Sequence, residues 1–382
     1  MQGLSEQIRR RAREAGFALA GITTAHRAPL ADMLRAWLER GMHGTMRYME
    51  DGDGRRADPQ LYLPWARALV VVGLNYYTAH ALSSSPEHGA ISRYAWGRDY
   101  HRLVRERLER LRAAIAALAP GCRTQPFVDT SPVLEKGVAA AAGLGWRGKH
   151  TNLLRKQYGS WFFLGGLATD LELEPDPPAR DHCGTCRRCI DVCPTRAIVA
   201  PYVLDARLCI SYLTIELRGP IPRALRPLVG NRIFGCDDCQ DVCPWNRFAQ
   251  VTHVAGFEPG DGNLNPRLVD LMGLTRSEWN RRFKRTAIRR AHYEGFLRNV
   301  AVALGNWGTP AALPALLVRL DDASPLVRGH VAWAVGRIGT TEARAALARR
   351  LAVEETAWVR EEIESALIER ASATGAQAAL SG

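Results

Sequence analysis

Eight of the nine cysteines in this 382-residue chain fall between residues 183 and 243, and no other feature restricts the fold as strongly. The first run reads Cys183-Gly-Thr-Cys186-Arg-Arg-Cys189-Ile-Asp-Val-Cys193-Pro194, the C-x2-C-x2-C-x3-C-P spacing of bacterial iron–sulfur ligation. The second, Cys236-Asp-Asp-Cys239-Gln-Asp-Val-Cys243-Pro244, lacks a leading cysteine; Cys209 is the candidate to supply it from a distance. Thiolates separated by two residues share one tight loop and each reach an iron of one cube. The fourth, set off before Pro, ligates the other cube in two-cluster ferredoxins. The expected sets are Cys183, Cys186, Cys189 and Cys243 for one 4Fe–4S cluster, and Cys193, Cys209, Cys236 and Cys239 for the other.

Two other readings compete. Eight cysteines also serve two tetrahedral zinc sites, but three thiolates so close together, and the repeated Cys-Pro, suit zinc poorly. A disulfide framework belongs to small secreted chains, which this is not. Cys122 lies outside both sets and reads as a buried, inert thiol.

The chain is long enough for two or three domains. Its first residues have no apolar signal core, and no run reaches the 18 or so apolar residues of a membrane span. Cluster thiolates need a reducing compartment, so a cytoplasmic protein is expected. Lys and Arg exceed Asp and Glu by 12, which favours a polyanionic partner such as nucleic acid; charge alone does not decide between that and a merely basic, soluble surface.

Along the chain, Phe17–Ile22, Ala68–Tyr76 and Gln125–Val128 read as strands, and 27–50, 100–118 and 133–142 as helices. A hairpin is expected across Tyr158-Gly159, pairing 152–155 with 160–170. The alternation makes the first 178 residues an α/β or α+β domain, closed by the linker Pro175-Asp-Pro-Pro178. A ferredoxin-like segment follows at 179–250, then a basic linker and helical repeats at 251–382. The whole is α+β and multidomain. Gly305 and Gly308 recur 31 residues later as Gly336 and Gly339, the mark of stacked, HEAT-like helix pairs. A third, more polar copy begins at Val359. Ahead of them, Arg281, Arg282, Lys284, Arg285, Arg289 and Arg290 place six cations in ten residues. They read either as a phosphate-binding strip or as a solvated helix face.

No GxGxxG follows an expected strand, so no Rossmann cofactor site is signalled. The segments Val128-Asp-Thr-Ser-Pro-Val-Leu-Glu-Lys136, Ala142-Gly-Leu-Gly-Trp-Arg-Gly-Lys149 and Tyr94-Ala-Trp-Gly-Arg-Asp-Tyr-His101, both cysteine runs and the order of parts resemble the epoxyqueuosine reductases. The resemblance implies reduction of epoxyqueuosine to queuosine at the wobble position of tRNA. It implies base-off cob(II)alamin held by an N-terminal α/β domain, two 4Fe–4S clusters that pass it electrons, and an architecture related to the reductive dehalogenases. Asp129 matches the family's catalytic aspartate, a proton donor whose pKa desolvation should raise; on local sequence alone it also fits a turn-capping residue. Arg56 matches an arginine beside the corrin and Ser92 a position facing it, while Leu153, Leu164 and Ser211 match positions lining it. Lys149 would meet a corrin amide, the substrate or solvent, Trp146 would serve packing, and Arg232 would lie close to RNA.

The partners so implied are the tRNA anticodon stem-loop and an unidentified electron donor, with no membrane and a monomeric state. Two rival functions remain at this level. One is a cobalamin- and cluster-dependent reductase of a small molecule, of the dehalogenase type. The other is a non-catalytic RNA-binding iron–sulfur protein.

Overall fold

The computed structural model describes residues 3–50, 54–260 and 262–378, with side chains described through Ile368. It divides into two compact units, each assembled from separate stretches of chain. The first takes residues up to Ala79, Gly97–Arg207 and Asp237–Glu258. The second takes His80–Trp96, Leu208–Cys236 and the chain from Pro259 onward. These units cut across the three sequence segments expected above.

The first unit is built on a four-stranded sheet in the order Leu19–Thr24, Ala68–Asn75, Phe162–Thr169, Thr124–Phe127. All three pairings are antiparallel, so the unit is α+β, and the α/β reading of the N-terminal domain is corrected. The alternation of helices and strands counted elements without fixing their direction. Ala68–Asn75 added to the ambiguity because every one of its residues is buried, as in a parallel strand covered on both faces. Here an antiparallel sheet is covered on both faces. Leu69 and Val71 join the core beneath helix Glu135–Ala141, with Val133, Val138 and Ala139. Their alternates face the other way: Val72 pairs with Gly165, against which Val104 and Leu108 of helix Tyr100–Leu118 are packed. Each such fully buried aliphatic side chain contributes about 1.5–3 kcal/mol.

The expected hairpin across Tyr158-Gly159 does not form. Leu153–Leu154 pairs with Trp146–Arg147, and only an isolated bridge links Arg155 to Gly159. Phe162–Thr169 has eight paired positions on Ala68–Asn75, far more than a local turn offered. The helix expected at 27–50 is confined to Ala31–Glu39.

In the second unit the helices Tyr293–Trp307, Pro325–Ile338 and Ala357–Ala378 stack in succession. Beside them Arg232–Phe234 pairs in parallel with Ala90–Ile91. The buried Arg298 donates to the carbonyls of Leu213, Leu217 and Gly219, and Asn299 donates to those of Thr214 and Ile233. Among the described residues no helix is long and apolar enough to cross a membrane.

Candidate active site and cluster cavity

Cys183, Cys186, Cys189 and Cys243 line one cavity of about 230 Å³ in the first unit. Cys189 sits in the short helix Arg188–Asp191, and Cys243 immediately precedes the turn Pro244–Phe248. The loop carrying the first two is tied down: the Cys183 amide donates to Asp181 (2.7 Å), and Lys149 Nζ donates to the carbonyls of Gly184 (2.6 Å) and Cys186 (2.9 Å). Lys149 therefore braces the cysteine loop through its backbone, the role none of its three expected partners provided.

Three of these thiols, Cys183, Cys189 and Cys243, are held away from their ionised form. Burial, then the neighbouring Cys243, Cys183 and Cys186, push Cys189 up to about 11, and burial also raises Cys183 and Cys243. Four thiolates in one enclosed space need a compensating cationic centre, which an iron–sulfur core provides. Trp146 lies edge-on to His182 (4.9 Å) and Trp245 (5.2 Å) and packs with Cys183, Cys243 and Leu154. The expected packing residue is thus part of an aromatic shell at the cluster cavity. All nine cysteines are free thiols, which removes the disulfide reading. Cys122 is half-buried.

Of the second set, Cys193 and Cys239 belong to the first unit, and Cys209 and Cys236 to the second. Cys193 Sγ accepts the Ala197 amide at 3.2 Å. Cys239 lies in helix Asp238–Asp241, which packs on Arg188–Asp191. Cys209 precedes helix Ile210–Ile215, and Cys236 follows strand Arg232–Phe234 by two residues.

A larger cavity, about 450 Å³, brings together Asp129, Arg56, Glu135, Lys136 and Arg147 against a wall of Leu30, Met33, Leu34 and Trp37. Asp129 follows strand Thr124–Phe127 with φ at +51°. Such a backbone is costly for a residue other than Gly and is concentrated at functional sites. Its amide donates to Glu135 Oε1. Its carboxylate lies 2.9 Å from His101 Nε2, and the other ring nitrogen lies 2.7 Å from Asp99, which caps helix Tyr100–Leu118. The His101 ring is stacked on Tyr100 (4.1 Å), which in turn stacks on Phe163 (4.1 Å).

Burial opposes the charged imidazole, but the carboxylates of Asp129 and Asp99 outweigh it and lift His101 to about 9. Burial, then the Asp129 charge, push Glu135 up to about 8. The cavity edge thus holds an ionised imidazolium–carboxylate pair beside a neutral carboxylic acid at pH 7. His101, Asp99 and Glu135 went unassigned in the sequence, although Asp99 and His101 fall within one of the family-like segments. The Asp99-x-His101 spacing at a helix start was the available signal.

The remaining expected residues are dispersed. Leu153 is buried in the sheet core, and Leu164 packs against that core from strand Phe162–Thr169; neither lines the Asp129 cavity. Ser92 and Ser211 belong to the second unit. Ser92 is buried against Gly235, with its amide donating to Phe234, and Ser211 is half-buried in helix Ile210–Ile215. Arg232 is half-buried, with a guanidinium N–H donating to the Val229 carbonyl.

Comparison with known proteins places the chain among described families. Residues 56–130 match the family described as "Epoxyqueuosine reductase QueG, DUF1730", residues 182–246 a 4Fe–4S double cluster binding domain, and residues 284–368 HEAT repeats. The epoxyqueuosine reductase of Pseudomonas aeruginosa is 45% identical over 346 residues, covering 88% of this chain and 95% of the relative. That of Escherichia coli is 43% identical, covering 87% and 89%. A crystal structure of an epoxyqueuosine reductase with an epoxyqueuosine-modified tRNA-Tyr stem-loop superposes with a TM-score of 0.89 at 33% identity, covering 95% of this chain and 98% of that one. A structure of the Bacillus subtilis enzyme, with its aspartate-bearing catalytic loop swung out of the active site, has a TM-score of 0.88 at 32% identity, with coverage of 95% and 98%. With relatives this similar along nearly its whole length and a double-cluster segment within it, the chain belongs to the epoxyqueuosine reductase family of oxidoreductases.

Proposed function

We propose that the chain reduces epoxyqueuosine to queuosine at the wobble position of tRNA, as a monomer in the cytoplasm supplied by a separate electron donor. The reaction takes two electrons and two protons, breaks both C–O bonds of the epoxide, forms a C=C bond and releases water. The observation that carries this reading is the strained, imidazole-paired Asp129 at the rim of the 450 Å³ cavity. Negative charge develops on the epoxide oxygen as it leaves carbon, and a proton must meet it there. At neutral pH the pair carries one proton, resident on His101. Asp129 is the member that delivers it to the oxygen, and Glu135 is a second protonated group alongside. The expectation that desolvation alone makes Asp129 an acid is replaced by this pairing, because the Asp129 side chain is 54% exposed.

The same cavity suits a corrin. Leu30, Met33, Leu34 and Trp37 offer an apolar wall, and Arg56, Lys136 and Arg147 offer donors for peripheral amides. Base-off cobalamin, when bound, supplies a strongly reducing cobalt centre that takes electrons singly. The Cys183, Cys186, Cys189 and Cys243 cavity would hold one 4Fe–4S cluster, and the second, from Cys193, Cys209, Cys236 and Cys239, is assigned on spacing. Contacts from Leu153, Leu164, Ser92 and Ser211 to the corrin rest on the resemblance.

Asp129→Asn tests the reading. It is expected to keep iron, cobalamin and stem-loop binding and to lower single-turnover reduction of an epoxyqueuosine stem-loop by about 10²–10⁴-fold. Wild-type turnover in this variant removes Asp129 from the mechanism. Turnover of the free nucleoside but not of the stem-loop favours the small-molecule reading.

A further inference from the structure

His150 has no role in the proton chemistry above, yet it is among the most buried polar groups of the first unit, at 2% exposure. Its Nδ1 accepts the Asn152 amide at 3.2 Å, and burial, then the charge of Lys136, hold the ring neutral, with a pKa of about 4. A neutral imidazole that accepts at one nitrogen carries its proton on the other. That other nitrogen, Nε2, is buried and has no hydrogen-bond partner in the protein. A buried N–H without a partner costs about 1–3 kcal/mol, so such a group calls for an acceptor. The same side chain lines the cavity of Cys183, Cys186, Cys189 and Cys243. Sulfur carrying negative charge is the acceptor that cavity would contain.

We propose that His150 Nε2–H donates a hydrogen bond to a sulfur of the 4Fe–4S cluster in this cavity and so raises that cluster's reduction potential. The inference rests on the cluster assignment above and extends it to a residue outside the ligand set. Reduction adds negative charge to the cluster, and a donor to sulfur stabilises the reduced form more than the oxidised one. His150 is therefore a positioning and tuning residue, not a ligand.

The test is an EPR-monitored redox titration of the full-length, cluster-loaded protein without RNA, with iron and sulfide measured per chain. His150→Phe removes the donor while keeping an aromatic ring. Its expected result is unchanged iron, with the ratio of oxidised to reduced cluster raised about tenfold at a fixed potential for one of the two clusters. For a one-electron couple that is a shift of about 59 mV to lower potential. His150→Gln, which restores an N–H donor, is expected to recover at least half of the shift. An unaltered potential in the iron-replete Phe variant overturns the proposal, as does a Gln variant lowered as far as the Phe variant. If the Phe variant loses iron, the Gln variant decides: near-wild-type potential supports the proposal, and loss of iron there too makes His150 a packing residue. Wild-type protein without iron would instead overturn the cluster assignment itself.

Discussion

Between Asp99 and Asp129 the His101 ring keeps its proton up to about pH 9, while the neighbouring Glu135 gives up its own near pH 8. Both folded values lie above the ordinary ones, 6.5 and 4.5, so the signs agree. The His101 contribution to stability is complete below about pH 6.5 and is lost as pH rises through about 9. Neutral Glu135 likewise favours the fold less as pH climbs from about 4.5 through about 8. Proton delivery follows the same direction, and single-turnover rate should fall on an alkaline limb spanning pH 8–9. His101→Gln keeps a polar neighbour for Asp129 but cannot hold the proton. It is expected to slow reduction at pH 7 by about 10²-fold or more and to leave a limb centred near 8. A pH–rate profile with the wild-type limb intact would show that His101 only orients the carboxylate. This site also marks what sequence reading can reach. Asp129 was legible because the resemblance attaches a role to its position, whereas His101, in a family-like segment of its own, has none attached. That partner lies 28 residues away, held by Asp99 on one side and by Tyr100, which is itself stacked on Phe163 of strand Phe162–Thr169, on the other. Lys149 was legible as a notable cation, but its target is two backbone carbonyls, which leave no trace in a residue pattern.

At the level of elements, the 31-residue glycine period divides into two physical roles. Gly308 and Gly339 end their helices in the left-handed conformation, φ +64° and +65°, with amides returned to Leu304 and Val335; this is the usual C-terminal glycine cap. Gly305 and Gly336 lie inside the helices, where the next repeat crosses. A Cβ on Gly305 would stand 2.6 Å from the Trp333 ring, and one on Gly336 2.5 Å from the Ala366 Cβ. The third copy has Leu367 and Arg370 at the corresponding places, and its helix runs on to Ala378 without a glycine stop. The stack was thus readable from sequence because both roles demand Gly at a fixed interval. The sheet direction was not, because antiparallel and parallel strands buried on both faces share one apolar pattern. For Gly336→Ala two effects oppose each other. Helix propensity gains about 1 kcal/mol, whereas overpacking costs about 1–3 kcal/mol where the obstructing atoms belong to Ala366 and cannot swing aside. The net expectation is destabilisation, larger for Gly336→Val, which adds volume and forgoes most of the propensity gain. Urea unfolding followed by circular dichroism checks this. A more stable Gly336→Ala protein would mean that the helices separate at little cost.

For the molecule as a whole, the excess of 12 positive charges matters only where the cations are not already engaged inside the fold. Arg226 and Arg328 are buried in ion pairs with Glu362 and Glu354, and Arg298 is surrounded by carbonyl groups. Within the basic strip, Arg290 is paired with Glu216, Arg282 donates to the Gly262 carbonyl, and Arg289 lies over Trp279 and bonds Asn280. The strip is also not one helix face: helix Arg276–Arg282 stops, and a 3₁₀ turn at Ala287–Ala291 follows. Arg281, Lys284 and Arg285 remain exposed, so phosphate binding by this segment comes down to about three cations rather than six. Each phosphate neutralised adds roughly 0.7–0.9 to the slope of log affinity against log salt. Removing the three together, as Arg281→Ala, Lys284→Ala and Arg285→Ala, should therefore reduce that slope for an anticodon stem-loop by about 2–3. It should weaken binding at low salt far more than at high salt, and leave turnover at saturating stem-loop unchanged. Fluorescence anisotropy at 50–200 mM salt measures it. A slope equal to that of the wild type would place the phosphate contacts on other surfaces of the chain and return this strip to the role of a solvated turn.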